Sequence, residues 1–205
     1  MPHMKYDPNK HHRRSIRLRG YDYSQAGAYY ITLVTQDRQP FFGDIANGEI
    51  RLNDAGKMVE RWFNELPNKF PSVETDEYVI MPNHFHAIVV LVGANSRIRP
   101  DAEPDEPGTH AGGGTHAGVP LPQIVQWFKT MTTNEYIRGV KNNGWAPFRG
   151  KFWQRNYYEH IIRDDADLER IRAYISANPA NWIADTENPF IQQNGKFPPS
   201  RRSAI

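Results

Sequence analysis

The sequence predicts an α+β fold in which helices pack on one face of an antiparallel sheet. Short runs rich in aromatic and β-branched residues alternate with segments whose apolar residues recur at helical spacing. Hydrophobic residues make up 39% of the chain, which is enough for one core. The length of 205 residues fits one domain of ordinary size with extensions at its ends.

The composition argues against several classes of protein. The chain has no cysteine, which excludes disulfides and thiolate metal sites and fits a reducing compartment. No apolar run approaches the ~20 residues that a membrane span needs. The first 20 residues lack the apolar core of a signal peptide. We therefore predict a cytoplasmic protein that has no membrane partner.

Residues 1–20 form a basic arm. Over the whole chain 25 lysines and arginines face 23 acids, but the arm holds six of these cations and a single acid. Such a stretch is typical of phosphate-binding arms and of solvated tails, and both interpretations stay open. The candidate DNA contacts in the arm are Arg13, Arg14, Arg17 and Arg19.

The next part of the chain alternates strand and helix signals. Residues 28–35 predict a first strand. Asn47-Gly48, between short apolar flanks, predicts a hairpin turn. Asn53 or Asp54 caps a helix whose apolar positions have helical spacing: Met58, Val59, Trp62, Phe63 and Leu66.

Residues 76–92, DEYVIMPNHFHAIVVLV, contain the motif around which the chain is organised. A second strand is predicted to run up to this motif, and the motif itself predicts a buried strand headed by His84-Phe85-His86. Side chains alternate across a strand, so both imidazoles share one face with Cα atoms roughly 7 Å apart. That separation lets both rings reach one cation. Two histidines hydrogen-bonded to their neighbours are the structural alternative.

The composition changes over residues 93–120, where glycine, proline and acids dominate and GTHAG occurs twice. We interpret this segment as a flexible insertion. Beyond it, residues 121–136 predict an amphipathic helix, and residues 151–162, KFWQRNYYEHII, predict a further strand. Residues 183–205 are expected to form an extended tail.

The last predicted helix spans residues 168–178 and carries a tyrosine and an amide one turn apart. Asp164 or Asp165 caps it, and the following proline stops it. Tyr174 and Asn178 are four residues apart and therefore lie one above the other. Considered alone, they are a tyrosine at the edge of the core and an ordinary residue at a helix end.

Taken together, these motifs resemble the single-tyrosine HUH transposases, and within them the REP-associated tyrosine transposases. The resemblance covers about residues 13–182 and rests on four segments: RRSIRLRGYDYSQAGAYYITLVTQDR, MPNHFHAIV, FWQRNYYEHIIR and AYISANPANW. It implies a ferredoxin-like sheet and one transposase domain over residues 21–182 with the insertion inside it. It also implies single-stranded or hairpin DNA as partner, and a monomer or homodimer.

The resemblance implies a role for each motif residue. His84 and His86 would bind a divalent cation, Mg²⁺ or Mn²⁺, with Asn178 as the third ligand. Tyr174 would be the nucleophile that forms a 5′-phosphotyrosine. A tyrosine of pKa ~10 needs activation, and a cation that polarises the scissile phosphate provides it. Asparagine in place of the glutamine of many mobile-element members matches the REP-associated branch.

Several other residues are weaker candidates. Tyr157 and Tyr158 are rival nucleophiles, but they lie on a predicted strand without an amide one helical turn away. His160 is a candidate fourth ligand or DNA contact. The remaining candidate phosphate contacts are Lys129, Arg155 and Arg163.

We therefore predict a metal-dependent transposase that cleaves and rejoins single-stranded DNA. Three alternatives remain at this stage. The first is a non-catalytic single-stranded nucleic-acid-binding protein on the same sheet. The second is an HUH nickase of the replication-initiator type, and the third is a metal-dependent phosphoesterase that forms no protein–DNA link.

Overall fold

A computed structural model of the chain describes residues 20–93, 118–185 and 187–189. Nearly all of the basic arm, including Arg13, Arg14, Arg17 and Arg19, lies outside the described residues. The same is true of most of the predicted insertion and of the chain beyond residue 189. The predictions made for those segments are therefore neither confirmed nor contradicted.

The elements follow one another in the predicted order. In chain order they are β1 (Gly27–Val34), β2 (Gly43–Ala46), β3 (Glu49–Leu52), α1 (Asp54–Asn64), α2 (Leu66–Lys69), β4 (Val73–Ile80), β5 (His84–Leu91), α3 (Leu121–Asn142), β6 (Tyr158–Ile162) and α4 (Asp165–Ala177). Two short 3₁₀ turns, Gln36–Arg38 and Trp182–Ala184, complete the described structure. None of the helices in the described ranges is both long and apolar enough to cross a membrane.

Four strands form one antiparallel sheet in the order β4-β5-β1-β6, and β2 pairs with β3 in a separate hairpin. With α1 and α3 as the connecting helices, this is the β-α-β-β-α-β arrangement of ferredoxin-like folds. The predicted α+β class is confirmed. The histidine strand β5 lies inside the sheet, where His84 and His86 pair with Val34 and Thr32 of β1.

The two faces of β5 contact different layers. Phe85 and Val89 pack into the main core with side chains of α1 and α3. Ile88 belongs to a second apolar cluster on the opposite face, together with Ile171 and Ile175 of α4. The expectation that the helices lie on one face is therefore wrong. The last helix has its own apolar stripe and covers the histidine face.

Local signals placed the turns and caps correctly. Asn47 and Gly48 have φ angles of 56° and 77°, as a two-residue turn with positive φ at both central positions requires. Asn53 caps α1 by accepting a hydrogen bond from the backbone N–H of Gly56 at 3.0 Å. Asp164 caps α4 in the same way.

Several boundaries differ from the prediction. The last helix, predicted over 168–178, spans Asp165–Ala177, and the first strand, predicted over 28–35, spans Gly27–Val34. The helix predicted over 121–136 continues to Asn142. The strand predicted over 151–162 begins only at Tyr158. Before it, Trp153 is buried in the core and makes an isolated bridge to Thr35, while the carbonyl of Gln154 accepts a hydrogen bond from Lys129 Nζ at 2.9 Å. Core packing of the tryptophan thus replaces the first half of the expected strand.

Candidate active site

The two histidines of β5 are buried side by side. His84 is 0% exposed and His86 is 4% exposed. Their ring centroids lie 4.6 Å apart at an interplanar angle of 71°. The prediction that both rings share one face of the strand is confirmed.

Asn83 orients the ring of His84. The Asn83 side-chain nitrogen donates to the backbone carbonyls of Arg38 at 3.0 Å and of Glu187 at 2.7 Å. Its oxygen therefore faces Nδ1 of His84, 2.8 Å away. Because an amide oxygen only accepts, Nδ1 of His84 carries the ring proton and Nε2 keeps a lone pair.

Two hydroxyl groups hold the ring of His86. Its Nδ1 lies 2.7 Å from the Tyr30 hydroxyl and 2.9 Å from Thr32 Oγ1. Burial lowers the pKa of His86 to about 3. Burial and the neighbouring ring hold the pKa of His84 well below its ordinary value. Both imidazoles are therefore neutral at neutral pH, which is the form that binds metals.

The outer nitrogens of this pair have no hydrogen-bond partner in the described part of the chain. Nε2 of His84 and Nε2 of His86 are both buried without one among the described residues. Ligating histidines characteristically use one nitrogen for the metal and the other for an orienting hydrogen bond. The donor chemistry therefore fits a divalent cation. No cluster of three or more His, Cys, Asp or Glu is already assembled as a metal site in the described ranges, so further donors must come from an amide, a phosphate, water or a side chain that moves.

Helix α4 brings Tyr174 to the histidines. Ile171 and Ile175 pack the helix onto the sheet, and Tyr174, between them in sequence, is 53% exposed. Its ring centroid lies 5.6 Å from that of His86 and 6.2 Å from that of Tyr30. The helix and the strand therefore meet within one chain, and the tyrosine is accessible from solvent.

Asn178 lies one turn further along, at the C-terminal cap of α4. Its side chain is buried, and Nδ2 donates to the backbone carbonyl of Tyr174 at 3.1 Å. In the described part of the chain, the Asn178 side chain is therefore hydrogen-bonded to the backbone of Tyr174 and to neither histidine. Its role as a third ligand stays a prediction.

Asp185 is a neighbour of the histidines that sequence reasoning missed. Its Oδ2 lies 3.5 Å from Nε2 of His84, and 13% of its side chain is exposed. Burial raises the pKa of this carboxyl above its ordinary value. The residue falls in the stretch predicted to be a tail, and no pattern around it indicates a ligand.

A cleft of about 640 Å³ opens beside Tyr174. Aromatic and polar side chains line it, among them Tyr30, His86, Tyr158, His160, Arg170 and Tyr174. Tyr158 is 51% exposed. Nε2 of His160 lies 2.7 Å from Oδ2 of Asp167 on α4, so this nitrogen is engaged with a carboxylate rather than with the histidine pair.

The basic side chains predicted to contact phosphate lie in different environments. Arg155 and Arg163 are exposed. Nζ of Lys129 donates to backbone carbonyls of residues 154–156 and lies 5.5 Å from the Tyr157 ring centroid. Lys129 therefore has a structural role in the loop before β6. Arg170, which sequence reasoning did not single out, lines the cleft and pairs with Asp167.

Comparison with known proteins identified two relatives in Haemophilus influenzae. One, an uncharacterised protein, is 37% identical over 190 residues, which is 88% of this chain and 96% of the relative. The other is named "Putative REP-associated tyrosine transposase" and is 25% identical over 158 residues, 77% of this chain and 73% of the relative. A solved structure of a REP-associated tyrosine transposase bound to a REP hairpin has 19% identity and a TM-score of 0.49, over 82% of this chain and 74% of that one. No family model matches the chain.

Proposed function

The chain belongs to the family of REP-associated tyrosine transposases, and we propose that it cleaves and rejoins single-stranded hairpin DNA with Tyr174 as the nucleophile. The observation that carries this proposal is the contact between an exposed tyrosine and a buried, neutral histidine pair. The ring of Tyr174 lies 5.6 Å from that of His86. Half of its surface is open to a substrate strand.

His84, His86 and Asn178 are the residues that we propose to hold Mg²⁺ or Mn²⁺. The two Nε2 atoms support this assignment because they have no hydrogen-bond partner among the described residues. An amide oxygen is a ligand that suits hard divalent cations. When bound, such a cation polarises the scissile phosphate and stabilises the charge that develops on it.

Tyr174 performs the covalent step. Its hydroxyl oxygen attacks the phosphorus, and the bond from phosphorus to the 3′ oxygen breaks. The phenolic proton passes to water, and water supplies a proton to the departing 3′ oxygen. The products are a 5′-phosphotyrosine and a free 3′ hydroxyl. A second 3′ hydroxyl attacks the phosphotyrosine and releases the tyrosine, so the strands are rejoined without ATP.

Tyr30 is also close to the histidines but is unsuited to the nucleophilic role. It is 7% exposed, and burial raises the pKa of its phenol far above the ordinary value. Its hydroxyl lies 2.7 Å from Nδ1 of His86. These contacts suit a residue that orients the histidine.

The test uses single-stranded DNA that carries a REP-type hairpin, incubated with Mn²⁺. We expect a covalent protein–DNA adduct on denaturing gels, and we expect Tyr174→Phe to abolish it. Tyr158→Phe and Tyr157→Phe are the matched controls and should still form it. An adduct with Tyr174→Phe contradicts the assignment of the nucleophile.

A second assay separates strand transfer from the alternatives. Two hairpins that carry different labels are mixed, and a joined product with both labels is expected from a transposase. Nicking without joining would favour an initiator-type nickase. Binding without any adduct would favour a non-catalytic DNA-binding protein.

A further inference from the structure

We infer that Asp185 is a ligand of the cation held by His84 and His86, so that the site is a two-histidine, one-carboxylate site. The inference rests on the proposed metal dependence and adds a residue outside the motifs that the sequence singled out. The observation behind it is the 3.5 Å separation between Asp185 Oδ2 and His84 Nε2.

This separation brings two acceptors together. Asn83 accepts the proton of Nδ1, so Nε2 of His84 presents a lone pair. While both groups are unprotonated, a carboxylate oxygen opposite a lone pair in a buried place is unfavourable, because neither atom can donate a hydrogen bond to the other. A cation between them satisfies both atoms at once.

The distance suits a shared cation. Mg²⁺ binds oxygen at roughly 2.1 Å in octahedral geometry, which puts adjacent donor atoms about 3 Å apart. The observed 3.5 Å is slightly longer, and a small rotation of the carboxylate closes the gap. The other oxygen, Oδ1, accepts the backbone N–H of Glu187 at 2.8 Å, so the carboxylate is held near the histidine while Oδ2 moves.

Asp185 is held in place by what we call the C-terminal strap, residues 182–185 and 187–189. The Trp182 ring lies 5.9 Å from the His84 ring. Arg38 Nε donates to Glu187 Oε2 at 2.7 Å. The buried amide of Asn188 closes the strap by donating to the carbonyl of Trp182 at 2.9 Å. The position of the carboxylate thus follows from packing.

A carboxylate ligand changes which metal cations the site binds most tightly. Two imidazoles alone suit Zn²⁺, Cu²⁺, Fe²⁺ or Ni²⁺, whereas an added carboxylate favours harder cations such as Mg²⁺ and Mn²⁺. With Asn178 the set has four protein donors, and an octahedral cation keeps two positions for phosphate oxygens or water. The negative charge also offsets part of the charge of the cation within the buried site.

The test measures Mn²⁺ binding to the full-length protein without DNA, by titration calorimetry and by the electron paramagnetic resonance signal of free Mn²⁺. We expect His84→Ala combined with His86→Ala to abolish binding. We expect Asp185→Ala to raise the Kd for Mn²⁺ by at least about 10- to 100-fold, the range seen when the outer-shell partner of a metal ligand is removed. Asp185→Asn, which keeps the shape, should raise it less. The control Asp165→Asn removes an exposed acid of α4 and should leave the Kd unchanged.

The possible outcomes distinguish a failure of the inference about Asp185 from a failure of the proposed metal dependence. Unchanged Mn²⁺ affinity in both Asp185 variants overturns the inference while the proposed function stands, because Asp185 is then only a neighbour of His84. No binding by the unaltered protein, in either assay, overturns the metal dependence and the inference together. Circular dichroism establishes that each variant is folded, and Asp185→Asn provides the answer if Asp185→Ala is not.

Discussion

The amide oxygen of Asn83 lies 2.8 Å from Nδ1 of its neighbour His84. The same amide donates to one carbonyl before β2 and to another in the C-terminal strap. One buried side chain thus joins three segments of the chain and determines which nitrogen of His84 is available to a metal. Asn83 is therefore a positioning residue of the site.

Asn83→Ala should weaken both the fold and the metal site. The substitution removes three hydrogen bonds of a fully buried amide, which predicts a loss of about 2–3 kcal/mol in the free energy of unfolding. Freed from its partner, the His84 ring can turn, so the Kd for Mn²⁺ should rise by about tenfold. Urea denaturation and calorimetry measure the two effects. Asn68→Ala, at an exposed position, is the control and should change neither quantity.

Tyr30→Phe should affect the metal site without removing the nucleophile. The substitution deletes one of the two hydroxyls at Nδ1 of His86 and leaves that of Thr32. We expect the concentration of Mn²⁺ needed for half-maximal adduct formation to rise by about tenfold, with nearly full adduct yield at saturating Mn²⁺. A complete loss of adduct at every Mn²⁺ concentration would show that Tyr30 has a direct part in the reaction.

The ion pair between Asp76 of β4 and Arg172 of α4 should hold Tyr174 in position relative to the histidines. Arg172 donates to both oxygens of Asp76, and this contact lowers the pKa of that carboxyl. Asp76→Asn should cost only about 0.5–1 kcal/mol because the pair is partly exposed. It should nevertheless slow adduct formation, since it loosens the helix that carries the nucleophile, and Mn²⁺ affinity should not change. Glu169→Gln, which removes the partner of Arg172 on its own helix, should leave the rate unaltered.

Stability of the metal-free protein should fall as the pH drops below about 6.5, the ordinary pKa of histidine. Burial depresses the pKa of His84 and His86 in the folded state, so the unfolded chain takes up protons that the folded chain does not. The stability is thus fully present above pH ~6.5 and is lost on acidification, by at most about 1.4 kcal/mol per histidine per pH unit. The raised pKa of Asp185 works in the opposite direction.

Urea denaturation between pH 7 and pH 5 measures this dependence. His86→Gln should have a smaller slope than the unaltered protein, because one buried neutral imidazole is gone. Equal slopes in the two proteins would contradict the assignment of the pH dependence to the histidine pair.

Mixing two inactive variants tests whether each chain contains a whole active site. Tyr174 and His86 contact each other within one chain. A mixture of Tyr174→Phe with the His84→Ala, His86→Ala double variant should therefore form no adduct on hairpin DNA. Restored activity in the mixture would show that helix α4 is exchanged between subunits.

Local chemistry made much of the fold predictable. Alternation along a strand placed both histidines on one face, and Asn47-Gly48 and the Asn53 cap are specified by backbone preferences that act over a few residues. The strand expected over 151–162 failed in its first half for a different reason. Burial of Trp153 and the hydrogen bonds from Lys129 outweigh the strand propensity there.

The sequence by itself determined which side chains lie close together within one element. These are the two imidazoles on one face of a strand, and Tyr174 one helical turn before Asn178. Only the tertiary structure decided that α4 packs on the histidine face, that Asn83 orients His84, and that the C-terminal strap brings Asp185 to 3.5 Å from its Nε2. The physical reason is the separation along the chain over which each kind of interaction acts. Strand and helix periodicity act between near neighbours, whereas Asp185 and His84 are about a hundred residues apart in sequence and meet only because packing and buried hydrogen bonds bring them together.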